Sequence, residues 1–521
     1  MPRGVRKIPL IPAPGGAAED NNPGLIPDGK YLASQNWLVR RDVGLPRPGY
    51  ERFGGAALAD GNRVLGFGFR GSHDVESATV THTTATAYRW TGSAFSDITG
   101  TWAASSSSQH VRFANFSTSG TLRLIRTNLA NAMDYWDGTG NFQDVGGTPP
   151  AAKDITVSSQ RVIGLNVTTG GTNYPQRVQW SDFNDMATWG ASSFVDLSQT
   201  PGNIVAGRAL GPLSFGVYTT DAVYLATAQA ALAPFQFQFI RTVRGPSSPA
   251  SLVQAPDGHY WLGDDYNIYI YSGTGFPRVV STGLTDTLKD TLAADSFDLV
   301  HGALLHGDNE FEVWWWIPRS SSSGVLLDRA ISYNTRTQAV HFHVFAHSIT
   351  AAHDWARRGV LAWDDLTGTW DTLVDTYSTW DAMDQGSFVT GILGDASGNV
   401  FRNGVGVSDN GTAISWSVTF PWRLVAQDGE DFYLDGVASY WEQTTASLSV
   451  TAGVLVTTAL ADSASDTEQT TTFNLSTNSN HQVSFADQRG KWARVRFAAS
   501  SAVAGVRCRG ALLQGWPRRM A

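Results

Sequence analysis

Apolar and polar residues alternate with a period of two over short stretches, and turn residues interrupt them every few positions. Phe235 to Ile240 reads Phe-Gln-Phe-Gln-Phe-Ile, the signature of a strand with one buried face. The stretch from Gly216 to Val280 repeats strand, turn, strand with no helical pattern between. Pro246-Ser-Ser-Pro is a hard turn and Asp257-Gly a hairpin signal. Elsewhere the same rhythm holds: Val64-Leu-Gly-Phe-Gly-Phe, Gln160-Arg-Val-Ile-Gly-Leu-Asn, and Phe311-Glu-Val-Trp-Trp-Trp-Ile. The one helical pattern in this part runs from Leu284 to Ala294, where Leu284, Leu288 and Leu292 form a stripe at i, i+4, i+8.

A longer period lies over the short one. An aromatic residue, then a Gly-containing turn, then Phe recurs at Trp90, Trp136 and Tyr271. The first two are 46 positions apart and the last two 135, close to three such steps. A period near 45 with about four strands per unit is the pattern of a β-propeller, whose aromatics fill the wedges between splayed blades. After about residue 410 the strands lengthen, as in Leu448-Ser-Val-Thr and Ala493-Arg-Val-Arg-Phe, and fit an antiparallel sandwich. The expected fold is therefore all-β. It comprises an extended Pro-rich arm over 1–30, a propeller of four-stranded antiparallel blades over 31–410, and a β-sandwich-like platform over 411–521. The arm reads equally as a segment lying on a neighbouring subunit or as a plain disordered terminus.

Composition agrees with many short strands. Charged residues are 16% of the chain, aromatics 11%, and there are 53 Gly and 19 Trp. A net charge of −9 argues against tight binding through the phosphate backbone of a nucleic acid. The single Cys508 excludes an internal disulfide framework and a Cys-based zinc site. The first residues are basic but lack an apolar stretch, and no apolar run is long enough to span a bilayer, so a cytosolic origin is expected.

Candidate chemistry is sparse. His341 and His343 would point the same way on a strand, as two metal ligands must, with His347 and His353 nearby. The alternative is a polar strand face, since no third ligand stands at a recognisable spacing. Asp264, Asp265, Asp364, Asp365 and Asp371 could suggest glycosidase carboxylates, but turn residues at strand ends are the simpler reading. Trp314, Trp315 and Trp316 fit a core or subunit contact, with sugar stacking as the alternative. No phosphate-binding loop, nucleophile elbow or dinucleotide fingerprint is present. Neither a catalytic residue, a metal site nor a cofactor is therefore assigned, and the chain is not expected to be an enzyme. Arg40, Arg41, Arg47 and Arg52 form a local basic cluster, a candidate contact to DNA or an acidic neighbouring subunit, or simply a solvated face.

Several of these segments resemble one family. Tyr31-Leu, Gln35-Asn-Trp and Gly44-Leu-Pro-Arg-Pro-Gly-Tyr are similar to the opening of bacteriophage tail hub, or nozzle, proteins, the DNA-stabilisation proteins of short-tailed phages. Val178-Gln-Trp-Ser-Asp, Phe215 to Tyr224 and Gly245 to Gly273 extend the resemblance over most of 31–290. It implies a propeller with β-rich platforms and six copies in a ring below the portal and adaptor. It further implies a structural virion protein of the tail, assembled in the bacterial host cytoplasm. Such a ring retains the packaged genome, anchors fibres or spikes, and passes double-stranded DNA without reading its sequence. The resemblance brings no catalytic residues, and this chain is shorter than the longer nozzle proteins. An acidic, charge-poor surface suits a conduit that must not hold DNA. Two other readings stand beside it: a carbohydrate-binding or carbohydrate-active propeller, and a receptor-binding fibre or spike.

Overall fold

The fold is described from a computed structural model. The structure describes residues 6–11, 15–18, 26, 30–40, 43–71, 79–106, 109–118, 120–230, 233–281, 285–307, 310–321, 324–357, 388–427, 430–442, 448–458, 467–475, 480–485, 488–502 and 506–519. It is all-β, with a propeller and a sandwich.

Blade one consists of Val64–Phe69, Thr79–Thr83, Ala87–Trp90 and Phe95–Asp97, each antiparallel to the next. The same meander returns in blade two (112–144), blade three (151–196), blade four (204–242) and blade five (253–279). Blade seven joins Ile349–Arg357, Phe388–Asp395 and Val400–Asn403 to Tyr50–Arg52, a strand from far upstream. These six sheets stand separately. Between blades five and seven, His301–Gly307, Glu310–Ser321, Gly324–Asn334 and Val340–Val344 complete the ring as blade six, within a ten-stranded sheet that continues into the sandwich. First strands of neighbouring blades pack side by side around the axis, except that the 3-10 turn Pro249–Ser251 stands between those of blades four and five, and blade seven packs back on blade one.

The aromatic period has a structural cause. Trp90, Trp136 and Tyr271 each end the third strand of their blade, and Trp180 ends that of blade three. From there Trp90 packs on Phe53 of the upstream segment, and Trp180 on Phe235 of blade four. Burying such rings contributes a few kcal/mol each and holds neighbouring blades together.

The helix expected over 284–294 is Thr285–Thr291, followed by a 3-10 turn at Ala294–Leu299. Leu288 and Leu292 are buried as the stripe required, while Leu284 lies outside the described residues.

The sandwich extends beyond the expected 411–521. One sheet holds Arg6–Leu10, Trp37–Arg40, Val43–Pro46, Glu430–Glu442, Asn480–Ser484, Arg489–Gly490 and Arg507–Arg519. The other holds Ala33–Gln35, Trp416–Thr419, Arg423–Leu424, Leu448–Thr457, Gln469–Leu475 and Trp492–Ala499. Tyr31, Trp37 and Val39 lie in its core with Trp416, Trp441 and Phe497. Trp37 sits 4.9 Å from Trp416 and 6.4 Å from Trp441, ring centre to ring centre. The expected boundary at 30/31 therefore divides one packed unit. Part of the 1–30 segment is not free: Arg6–Leu10 runs antiparallel to the 511–515 part of Arg507–Arg519.

Candidate functional site

The first strands of the blades line the axis, so charged residues at their near ends meet there. On Ala151–Ser158 of blade three, alternation sends Lys153 and Asp154 to opposite faces. Asp154 is wholly buried. One carboxylate oxygen accepts from Arg112 Nε at 3.1 Å, the other from Arg208 Nη1 at 2.5 Å and from the Gly207 amide at 2.9 Å. Arg208 donates further to the carbonyls of Gly207 and Pro249. Three consecutive blades are thus tied by one carboxylate. At Gly207 an added Cβ would lie 2.4 Å from Leu165 Cδ1 and 3.1 Å from the Gly216 carbonyl oxygen, so blade four packs closely on blade three here. Burial pushes the Asp154 carboxyl up, to about 6, against the pull of Arg112.

Beside this network lies a cavity of about 380 Å³, lined among others by Arg112, Arg208, Gln254, Ala303, His353 and Asp354. Towards the strand starts, His110 Nε2 meets the Asp298 carbonyl at 2.7 Å, so the 3-10 turn preceding blade six is bridged to blade two. Burial lowers Arg63 and Lys153, and the Asp298 charge pulls both back up. Among the described residues the charges paired at the axis are Asp154 with Arg112 and Arg208. The cavity beside them is on the scale of a small molecule, far below that of a DNA duplex.

The arginine cluster does not form one surface. Arg40 makes a bidentate pair with buried Glu312 at 2.9 and 3.1 Å. Burial pushes the Glu312 carboxyl up, but Arg40 outweighs it and holds it below its usual range. Arg47 is 1% exposed. Its guanidinium pairs with Asp409, donates to Asn36 Oδ1 and the Val344 carbonyl, and lies 4.3 Å from the Phe345 ring centre. Both cations are spent inside the chain, which corrects the reading of Arg40 and Arg47 as contacts to DNA or a subunit. Arg52 is exposed and donates to Asn399 Oδ1 at 2.6 Å. Arg41 lies outside the described residues.

His341 and His343 do share a face, but it points into the interior, and burial lowers both. The His343 ring stacks on Trp314 at 4.2 Å and its Nε2 meets the Ser332 hydroxyl at 2.9 Å. Among the described residues no group of three or more His, Cys, Asp or Glu is gathered as a metal site. Asp265 accepts from Tyr269 and Asn267 within its own turn. Asp364, Asp365 and Asp371 lie outside the described residues. Trp314, Trp315 and Trp316 are all buried, so they offer no stacking platform for a sugar.

The Arg112–Asp154–Arg208 network escaped the sequence reading. Its one local signal is a Lys-Asp pair inside the otherwise strand-like Ala151-Ala-Lys-Asp-Ile-Thr-Val. Nothing local links that pair to two arginines 42 and 54 positions away.

No family model matches the sequence, and no curated protein matches it. Among solved structures the chain is similar to BamB from Moraxella catarrhalis, at 11% identity and a TM-score of 0.34, over 70% of this chain and 92% of that one. It is similar to YCF48 bound to D1 peptide, at 11% identity and 0.35, over 71% and 100%. A third is BBS1N in complex with ARL6DN, at 11% identity and 0.37, over 68% and 97%. At such identities and TM-scores none of these likenesses assigns a function to this chain.

Proposed function

We propose that this chain is a structural subunit of a phage tail, one of six copies in a nozzle ring below the portal and adaptor. In this role the ring retains the packaged genome, anchors fibres or spikes, and conducts DNA during ejection. The observation that supports this reading is the ten-stranded sheet shared by blade six and the sandwich, with Ala33–Gln35 hydrogen-bonded to both. A shared sheet resists bending between the two units, as a load-bearing ring subunit needs. The paired charges on the propeller axis add to it. DNA would pass through the centre of the assembled ring and not through any single propeller.

Negative-stain electron microscopy and native mass spectrometry of the purified chain, alone and with portal and adaptor proteins, test the reading. A sixfold ring with an open axial channel is expected. A stable monomer in both settings would overturn it, and a trimer would favour a fibre or spike.

A further inference from the structure

Most blades end in a short outer strand. Phe95–Asp97, Gln143–Asp144, Phe194–Asp196 and Arg278–Val279 have three, two, three and two residues. Blade six is followed by Ala33–Gln35, and Tyr50–Arg52 of blade seven by Ser408–Asp409. Blade four differs. Its outer strand, Phe235–Thr242, has eight residues, and among the described residues nothing pairs with its far edge.

The strand is held firmly from within. It is paired to Ala222–Ala228, from Phe235 opposite Ala228 to Thr242 opposite Ala222, with one bulge at Ile240. Phe235 and Phe237 pack with Trp180 and Phe215, while Ile240 packs on the cluster around Trp261. Exposed edges of this length are normally blunted by proline, lysine or a short span. Phe235–Phe239 is regular and has no proline and no charge; the bulge at Ile240 and the charge of Arg241 blunt only the far end of the strand. Exposed side chains lie on the strand and on the next blade, Phe239 and Arg241 here and Phe276 and Val279 on blade five, while Arg278 sits on the blade-six side near Tyr260 and Tyr333. The Arg241 guanidinium lies 5.6 Å from the Phe276 ring centre, which joins the two blade rims into one patch.

We infer that the outer edge of blade four docks an extended strand of a separate protein, one that carries acidic and apolar residues. A row of unpaired backbone donors and acceptors at strand spacing recognises another strand, and side-chain neighbours set which one. Here Arg241 selects a carboxylate, and Phe239, Phe276 and Val279 select apolar side chains beside it. The inference does not depend on the proposed tail function.

The test uses the full chain and a displayed library of random extended peptides. Enriched peptides are expected to alternate β-formers with Asp or Glu. They should slow hydrogen exchange of amides in 235–242 and bind about tenfold more weakly or worse to Phe239→Lys, and likewise to Arg241→Glu. Gln238→Pro should abolish binding, with circular dichroism and melting temperature used to separate edge blockage from unfolding. Three outcomes overturn the inference. They are a library without enrichment, peptides whose binding leaves 235–242 unprotected, and a concentration-dependent dimer of the chain that Phe239→Lys dissolves.

Discussion

Arg47 and Asp409, 362 positions apart, face each other through two parallel hydrogen bonds of 2.8 and 2.6 Å within the interior. The same guanidinium reaches Asn36, whose own amide donates to the Ser415 carbonyl. Asn36 has a positive φ of 53°, a conformation Asn tolerates better than most residues. The pair therefore fastens together the upstream hairpin, the end of blade six and the closing edge of blade seven. Asp409→Ala would leave a buried, unpaired cation and is expected to cost about 3–5 kcal/mol. Urea unfolding at neutral pH measures it, and a double replacement by apolar residues should recover part of the loss.

Two other arginines of the upstream cluster should separate cleanly in the same assay. Arg40→Ala strands the buried Glu312 carboxylate, and a loss of about 3–5 kcal/mol is expected. Arg52→Ala removes an exposed contact to Asn399 and should stay within about 0.5 kcal/mol. Equal effects of the two substitutions would contradict the assignment of Arg40 to the interior.

Acid should weaken the fold well before carboxylates in general are protonated. Burial lowers His82, His110, His259, His301, His341 and His343, with His110, His259 and His341 at about 4. The unfolded chain takes up protons near pH 6.5 that the folded chain refuses, so this stability is present above about pH 6.5 and is lost as pH falls towards about 4. Asp134 and Asp154, raised to about 6 by burial, act in the opposite sense between about pH 4 and 6. The histidines outnumber them, so a net fall in unfolding free energy from pH 7 to pH 5 is expected. An Asp154→Asn variant should lose stability more steeply over that interval than the parent chain.

Trp416 forms a three-ring cluster with Trp37 and Trp441 in the core of the sandwich, and its indole donates to the Ser501 carbonyl. Trp416→Ala is expected to cost about 3–5 kcal/mol. Because Ala33–Gln35 pairs with the strand that carries Trp416, faster hydrogen exchange should reach the blade-six edge as well as the sandwich.

The fold class was legible because its signals are local. Period-two runs gave strands, and third-strand ends at Trp90, Trp136 and Tyr271 kept a near-constant spacing because blades are near-copies in geometry. Membership of the sandwich was not legible. Arg6–Leu10 looks like a loose arm until its partner strand is known, and that partner lies about 500 positions downstream. The arginines failed for a related reason. Charge density along the chain records where cations are, while burial and pairing depend on Glu312 and Asp409, which sit in other parts of the sequence. For the axial network the same holds: Asp154 is visible as a charge in a strand, but its arginine partners are supplied by two other blades.

The strand Tyr50–Arg52 waits for Val400–Asn403, and Arg6–Leu10 waits for Arg507–Arg519. During synthesis these two strands are thus without partners until the segments around 400 and 510 have left the ribosome. Intermediate blades can form from neighbours in sequence, but ring closure and sandwich assembly must follow late. Contacts of such separation slow folding and prolong the exposure of unpaired edges. The architecture that yields a rigid product is therefore vulnerable chiefly while it is being made, and its yield should depend on temperature and chaperone supply more than its finished stability would suggest.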